Sequence, residues 1–384
     1  MKVAVIGGGP AGLLFARLVK RRAPTYAIDI FEQNPVDATY GFGVTLAGAA
    51  RDRLRKADEA LHDTLAESMV FNDEQDIVLN DGKVSLKYAA KGGAIARLTL
   101  LNLMEQLCAD CGLVVQHGRR IETRDDLAAY DLVVGADGAN SQVRTLLEPK
   151  FRVQTRVLHN RFAWYGVAKA LTPNALVFRD TRFGRLVAHY YSYTPGMSTF
   201  VAECDGETWN ERGFSRLSDD ERKAAFEDVF ADMLDGQPLV ENKSVWRRFN
   251  FTTCGEWFHG NAVLIGDALR VAHFSIGSGT RLAMDDAVAL NDALAECDDD
   301  IGAGLARYVE LRKPTRDLFT EATVKSFEWY EDIGKQMELD VVAFTRDFLT
   351  RTGRVDDERL RSYVPNFYDT YMAGSPAELV GRMR

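Results

Sequence analysis

At 384 residues, 46% hydrophobic and 27% charged, the chain is long enough for about two domains with a large core, and its composition is that of a globular protein. A formal net charge of −9 offers nucleic acid no general electrostatic attraction. No stretch approaches the ~20 uninterrupted apolar residues of a membrane span, and the first strand begins at the second residue; the expectation is a cytoplasmic protein with no membrane partner.

The apolar run Val3 to Ile6 enters Gly7-Gly8-Gly9-Pro10-Ala11-Gly12 directly. A helical stretch from Ala11 to Arg22 follows, and a second strand, Ala27 to Phe31, delivers Glu32. This is a dinucleotide-binding fingerprint with its required context. Gly7 permits the tight turn, Gly9 lets the backbone approach a pyrophosphate, Gly12 packs helix on strand, and Glu32 accepts from ribose hydroxyls. The basic clusters Lys20-Arg21-Arg22 and Arg51 to Lys56 read as solvated helix faces. Leu98 to Gly112 suits an amphipathic helix, and Leu113 to Gln116 a short strand. Within that helix Cys108 and Cys111 form a CxxC; with five scattered cysteines and no second ligand pair nearby, reduced structural thiols are expected and no metal. Asp131 to Val134 is another buried strand, ending in Gly135-Ala136-Asp137-Gly138. Residues 164–168, 175–178, 186–191 and 198–202 alternate as successive strands of an antiparallel sheet. Asn261 to Ile265 leads into Gly266-Asp267, and from Arg281 the pattern is helical with a break at Pro314. Asp285 and Asp286 read as carboxylates in the first turn of a helix.

Three glycine-acid elements thus stand at the carboxyl ends of apolar strands, where open α/β sheets bind ligands. With no linker in sight, the predicted fold class is α/β (α+β). A Rossmann-like nucleotide domain (1–70, 95–160, 255–300) is interleaved with an antiparallel-sheet substrate domain (71–94, 161–254), and a helical region (301–384) follows.

The three elements in this order resemble the group A flavin-dependent aromatic monooxygenases of the p-hydroxybenzoate hydroxylase fold. The resemblance implies FAD as resident cofactor, NADH or NADPH as transient co-substrate, O2, and a small aromatic substrate hydroxylated via a flavin C4a-hydroperoxide, in a monomer or homodimer. It implies that Gly7, Gly9, Pro10, Ala11, Gly12 and Glu32 hold the FAD adenosine diphosphate. Asp137 of the second element would touch the nucleotides, Asp267 of the third would bond the ribityl chain, and Arg97 would stand at the head of its helix. The run from Ala272 to Ala287 is similar to the subgroup of salicylyl-CoA 5-hydroxylase and the hydroxylase half of 2-aminobenzoyl-CoA monooxygenase, and to violacein-pathway hydroxylases. Tyr40 to Val44, Phe327 to Glu331 and Leu349 to Thr352 also resemble the CoA-ester hydroxylases. Two departures stand beside the matches. The family continues Ala-His after Gly266-Asp267-Ala268, where this chain has Leu269-Arg270, and Thr45 to Ala49 lacks the Phe-Ser-Asp pattern of the CoA-ester group. The cofactor carries over; the substrate's identity does not.

For flavin chemistry, the loop His273 to Gly279 and the helix beyond it can aim N–H groups at reduced flavin, with Gly277 and Gly279 admitting the ring. His273 and Phe274 are the flavin-adjacent candidates for catalysis. Trp164, His189, Tyr191 and Met197 are candidates for the substrate pocket; alternation puts His189 and Tyr191 on one face and Tyr190 on the other. If the substrate is a CoA thioester, Arg51, Arg53 and Arg55 are candidates for its phosphates. The alternatives are an indole-type natural-product hydroxylase, a two-component oxygenase fed reduced flavin, a FAD-dependent reductase without oxygen transfer, and a flavoprotein that binds ligand without turnover.

Overall fold

A computed structural model of the chain describes residues 1–38, 41–46 and 48–372, so Tyr40, Ala47 and the end of the 301–384 region lie outside the described residues. Two sheets organise it. The smaller has strand order Phe258–His259, Ala262–Leu264, Leu132–Gly135, Lys2–Ile6, Ala27–Glu32, Val115–His117, parallel except at the first pair. Its three central strands carry the apolar runs Val3 to Ile6, Leu132 to Val134 and Ala262 to Leu264, as strands buried on both faces do; Val3, Ala4 and Val5 are wholly buried with Leu13, Leu14 and Phe15 of the helix Pro10–Arg22.

Among the described residues the larger sheet has nine strands, ordered Leu239–Glu241, Val153–Val167, Met197–Cys204, Gly184–Thr194, Asn174–Thr181, Val70–Leu79, Gly82–Ala96 and Gly43–Leu46, with Arg247–Cys254 also on Val153–Val167. It is antiparallel apart from one parallel contact, Val70–Leu79 on Asn174–Thr181. Period-two alternation splits its residues between two cores. Leu186, Ala188 and Tyr190 face a cluster with Phe200, Phe226 and Phe230, while Val187, Leu176 and Phe178 face one with Trp329, Phe344 and Phe348 of the C-terminal helices.

Three expectations are corrected here. Gly43–Leu46 and the first half of Val153–Val167 belong to the large sheet, although the sequence reading placed both segments in the nucleotide domain. Pro314 does not break the helix, which runs unbroken from Ile301 to Glu331. An interior proline costs about 3 kcal/mol, but this one is exposed, and buried residues on both sides of it (Leu305, Tyr308, Arg312; Ala322, Phe327, Tyr330) hold the helix together. Asp285 and Asp286 are not in a first turn, because their helix begins at Gly279.

Cys108 and Cys111 are free thiols at the end of the helix Arg97–Ala109. Burial pushes the Cys108 thiol up to about 12, and Cys111 Sγ donates to the Cys108 carbonyl. Among the described residues no helix is long and apolar enough to cross a membrane, and no cluster of three potential metal ligands occurs.

Candidate functional site

A cavity of about 1280 Å3 lies between the two sheets. Gly9, Pro10 and Ala11 line one part of it, and Ser278, Gly279 and Thr280 another. Both segments open helices, Pro10–Arg22 and Gly279–Glu296, and neither helix has a side-chain cap. Unpaired amides at two helix N-termini therefore meet the same cavity, an arrangement suited to an anion.

The glycines fall into two classes. Gly7 has φ +113°, and a Cβ on it would overlap the Ala136 carbonyl; one on Gly12 would overlap the Gly7 carbonyl. These two serve the protein's own packing. A Cβ on Gly9 would meet nothing within 4 Å, and one on Gly279 only the Ala272 Cβ at 4.0 Å. Their missing side chains leave room on the cavity side. Gly277, φ +56°, closes the turn Phe274–Ile276 at the cavity edge. Valine at Gly9 or Gly279 should thus leave unfolding of the apoprotein nearly unchanged while weakening FAD at least a hundredfold in a fluorescence-quenching titration. Gly7→Ala should instead destabilise the apoprotein by about 2 kcal/mol or more.

The acids and Arg97 divide similarly. Glu32 Oε2 accepts from Gly8 N (2.8 Å) and Oε1 from Asn34 N, at the floor of a side pocket shared with Gly9 and Arg97. Arg97 borders both the side pocket and the main cavity, lying between the charges of Glu32 and Asp267. Its guanidinium makes no hydrogen bond or ion pair among the described residues, and burial lowers its affinity for a proton. A cation held in this way calls for an anion such as a diphosphate. Asp267 lines the cavity; burial raises its carboxyl above the ordinary value, against the pull of Arg316 and Arg97. Asp137 is different, since its carboxylate accepts from Ser141 Oγ, Gln142 N and Val143 N. It shapes the loop, and Ala136, Gly138, Ala139 and Asn140 are the neighbours that reach the cavity.

The Gly266-Asp267 turn is fixed from behind by a group that sequence reasoning took for a helix-end charge. Asp286, fully buried, accepts from Gly266 N (3.0 Å) and from Arg312 Nε (2.6 Å), and lies 3.3 Å from Arg316 Nη2. Arg316 Nη2 in turn donates to the Gly266 and Arg270 carbonyls.

His273 does not border the cavity. It is buried among Phe249, Phe274 and Phe327, and its Nδ1 accepts the Ser275 N–H as the cap of the short turn. Burial, with His189 and Arg351 adding to it, drives its pKa down to about 3. A ring that stays neutral and enclosed packs and caps; it does not exchange protons with a ligand. The unfolded chain takes up this proton near pH 6.5 but the folded one does not, so its contribution to stability is complete above that pH and declines on acidification towards 3, by up to about 1.4 kcal/mol per pH unit. In urea unfolding at pH 7 and pH 4.5, His273→Asn should lose less stability between the two than the parent.

Beyond the loop the cavity becomes aromatic. Phe274, which does line it, packs against Phe162 (4.9 Å between centroids), Trp164 (6.1 Å) and His189 (5.9 Å). Tyr191 also lines it, and its hydroxyl donates to the Gly43 carbonyl while Thr199 Oγ1 accepts the Gly43 N–H. Tyr190 packs against Phe200, on the opposite face as alternation predicts. Met197 is a correction: it pairs with Thr194 at the hairpin end and does not reach the cavity. Arg51, Arg53 and Arg55 are engaged on the surface with the Lys91 carbonyl, Asp285 and Asp63.

Sequence reasoning missed Glu203. It faces the same side as His189 because Val201 is the cross-strand partner of His189 and Glu203 lies two residues on. The residue is 1% exposed, and its carboxylate accepts from Asn160 Nδ2 (2.9 Å) and stands 3.3 Å from His189 Nε2. His189 stacks on Tyr330 (5.4 Å); Nε2 is enclosed, leaving Nδ1 as the nitrogen open to the cavity.

An FAD binding domain family matches residues 115–323. Salicyloyl-CoA 5-hydroxylase from Streptomyces sp is 34% identical over 362 residues, covering 92% of this chain and 70% of that protein. The 3-hydroxy-4-methyl-anthranilyl-[aryl-carrier protein] 5-monooxygenase of Streptosporangium sibiricum is 35% identical, covering 92% and 95%. The solved tetrameric form of 2-methyl-3-hydroxypyridine-5-carboxylic acid oxygenase shares the fold at 15% identity, with a TM-score of 0.72 over 94% of this chain and 95% of that one. With a nucleotide cradle at one end of the cavity and an aromatic box at the other, the chain belongs to the FAD-dependent aromatic monooxygenases of the p-hydroxybenzoate hydroxylase fold.

Proposed function

We propose that this protein hydroxylates a phenol or aryl amine presented as a CoA-type thioester, with NADH or NADPH as reductant and O2 as oxygen source. The observation that carries the reading is His189, open to an aromatic cavity at Nδ1 and backed at Nε2 by the buried Glu203. The relatives named above act, by their names, on hydroxy- or amino-arenes carried on CoA or a carrier protein.

FAD, once bound and reduced, supplies the oxygen-activating chemistry. The chain supplies the rest. Arg97 and the amides following Gly9 hold the diphosphate, Glu32 the ribose, and Asp267 a hydroxyl of the linking chain. Phe162, Trp164 and Phe274 seat the ring and exclude water. His189 Nδ1 takes the proton from the ring hydroxyl or amino group as the ring is attacked; the O–H or N–H electron pair goes into the ring and raises its nucleophilicity. Glu203 orients the imidazole and offsets the charge it gains.

The test is NADH and NADPH oxidation by the FAD-loaded protein with a panel of hydroxy- and aminobenzoic acids and their CoA thioesters, scored for hydroxylated product. A thioester should stimulate both oxidation and product formation beyond its free acid. Free acids outperforming thioesters would remove the thioester assignment, and oxidation without product from any arene would remove hydroxylation.

A further inference from the structure

Resting on the thioester reading above, we infer that Arg281, Arg354 and Arg359 form a phosphate-binding site that receives the phosphate of a phosphopantetheine-type arm. Arg281 and Arg354 both stack on one ring, that of Phe319, at 4.4 and 4.2 Å from its centroid, and Phe319 lines the cavity. Arg281 Nε and Nη2 and Arg354 Nη1 are buried without a hydrogen-bond acceptor among the described residues. Arg354 and Arg359 line the same cavity, and Arg359 Nη1 donates to the Arg354 carbonyl (2.6 Å). None of the three guanidiniums has an ion pair among the described residues; Asp285, the carboxylate acting on Arg281, is already bonded to Arg53 (3.1 Å) and lies 3.7 Å from Arg312. Like charges brought together on an apolar ring repel one another unless an anion joins them, and guanidiniums match phosphate oxygens.

The position fits the arm. Phe319 and Tyr330 lie on one helix, Ile301–Glu331, eleven residues apart; at 1.5 Å per residue the anion site is about 16 Å from the Tyr330 that His189 stacks on. That separation accommodates an extended pantetheine between an arene beside His189 and a phosphate beside Phe319.

Calorimetric titration of the FAD-loaded protein with unacylated CoA tests the site without turnover. Arg354→Gln and Arg359→Gln should each weaken CoA at least tenfold, while Lys335→Gln, at an exposed lysine, should leave it within twofold. Arg359 is exposed, so its replacement leaves the fold intact, and retained FAD shows that the Arg354 variant has folded. In turnover, the KM for the CoA thioester should rise to match, with the KM for NADH and NADPH unmoved. Unchanged CoA affinity in the variants, or no CoA binding by the parent, overturns the inference; so does a rise confined to the nicotinamide KM, which would give these arginines to the other phosphate-bearing ligand. The two readings fail separately. Thioester-dependent hydroxylation with a KM that the arginine variants leave unmoved removes this site alone, whereas variant-sensitive CoA binding without any hydroxylated product removes the reaction alone.

Discussion

Asp286→Ala should destabilise the protein by about 3–5 kcal/mol, because it leaves Arg316 buried without its ion-pair partner and Arg312 with Asp285 alone, 3.7 Å away. Arg312 and Arg316 are 6% and 3% exposed as residues, and their guanidiniums cannot recover solvation by a small movement. Burial alone would weaken the proton affinity of Arg312, and it is Asp286 and Asp285 that raise it instead. Asp286→Asn keeps the shape and an acceptor for Gly266 N but loses the charge, so it should fall between the parent and the alanine variant. Guanidinium unfolding of apo and FAD-loaded forms measures both effects. A larger deficit in the loaded form is expected, because the Gly266-Asp267 turn, which Asp286 holds, contributes to binding and bound FAD stabilises only the folded state. Equal stability of all three proteins would rule out this role for the carboxylate.

His189→Asn should lower kcat by 10²–10⁴-fold, the range for a positioned general base. Glu203→Gln should lower it less, since the imidazole remains. In both variants FAD binding and thermal unfolding should stay close to the parent. The diagnostic is pH: a phenol ionises unaided near pH 10, so the asparagine variant should recover part of its rate as the pH rises towards that value, while the parent does not gain in proportion. A defect that is constant with pH would make His189 a ring-packing residue only.

What the chain disclosed in advance follows from how local each signal is. The Gly7 and Gly12 positions are legible because backbone packing within a few residues admits nothing larger, and three strand-glycine-acid elements place a nucleotide without knowledge of strand order. Asp286 was misread because its partners, Arg312 and Arg316, lie on another helix, and no periodicity links them. Glu203 was invisible for a related reason: it meets His189 diagonally across two strands, and that requires the register. Met197 was misplaced by the same gap, since alternation gives the face of a residue but not its height along the hairpin. Arg51, Arg53 and Arg55 were proposed from charge alone, whereas Arg281, Arg354 and Arg359 are assembled from two distant segments around a phenylalanine.

The helix Ile301–Glu331 touches, in order along one side, the turn that faces the cofactor (Arg316), the paired arginines (Phe319) and the stacked imidazole (Tyr330). Distances between these stations are thus counted in residues of a single rod, not summed over loops. Deleting one residue between Phe319 and Tyr330 would shorten the interval by only about 1.5 Å but swing the far station through about 100°. Loop lengths elsewhere in the chain can drift without altering this gauge, whereas the helix can change length only by whole turns, each adding or removing about 5.4 Å of reach.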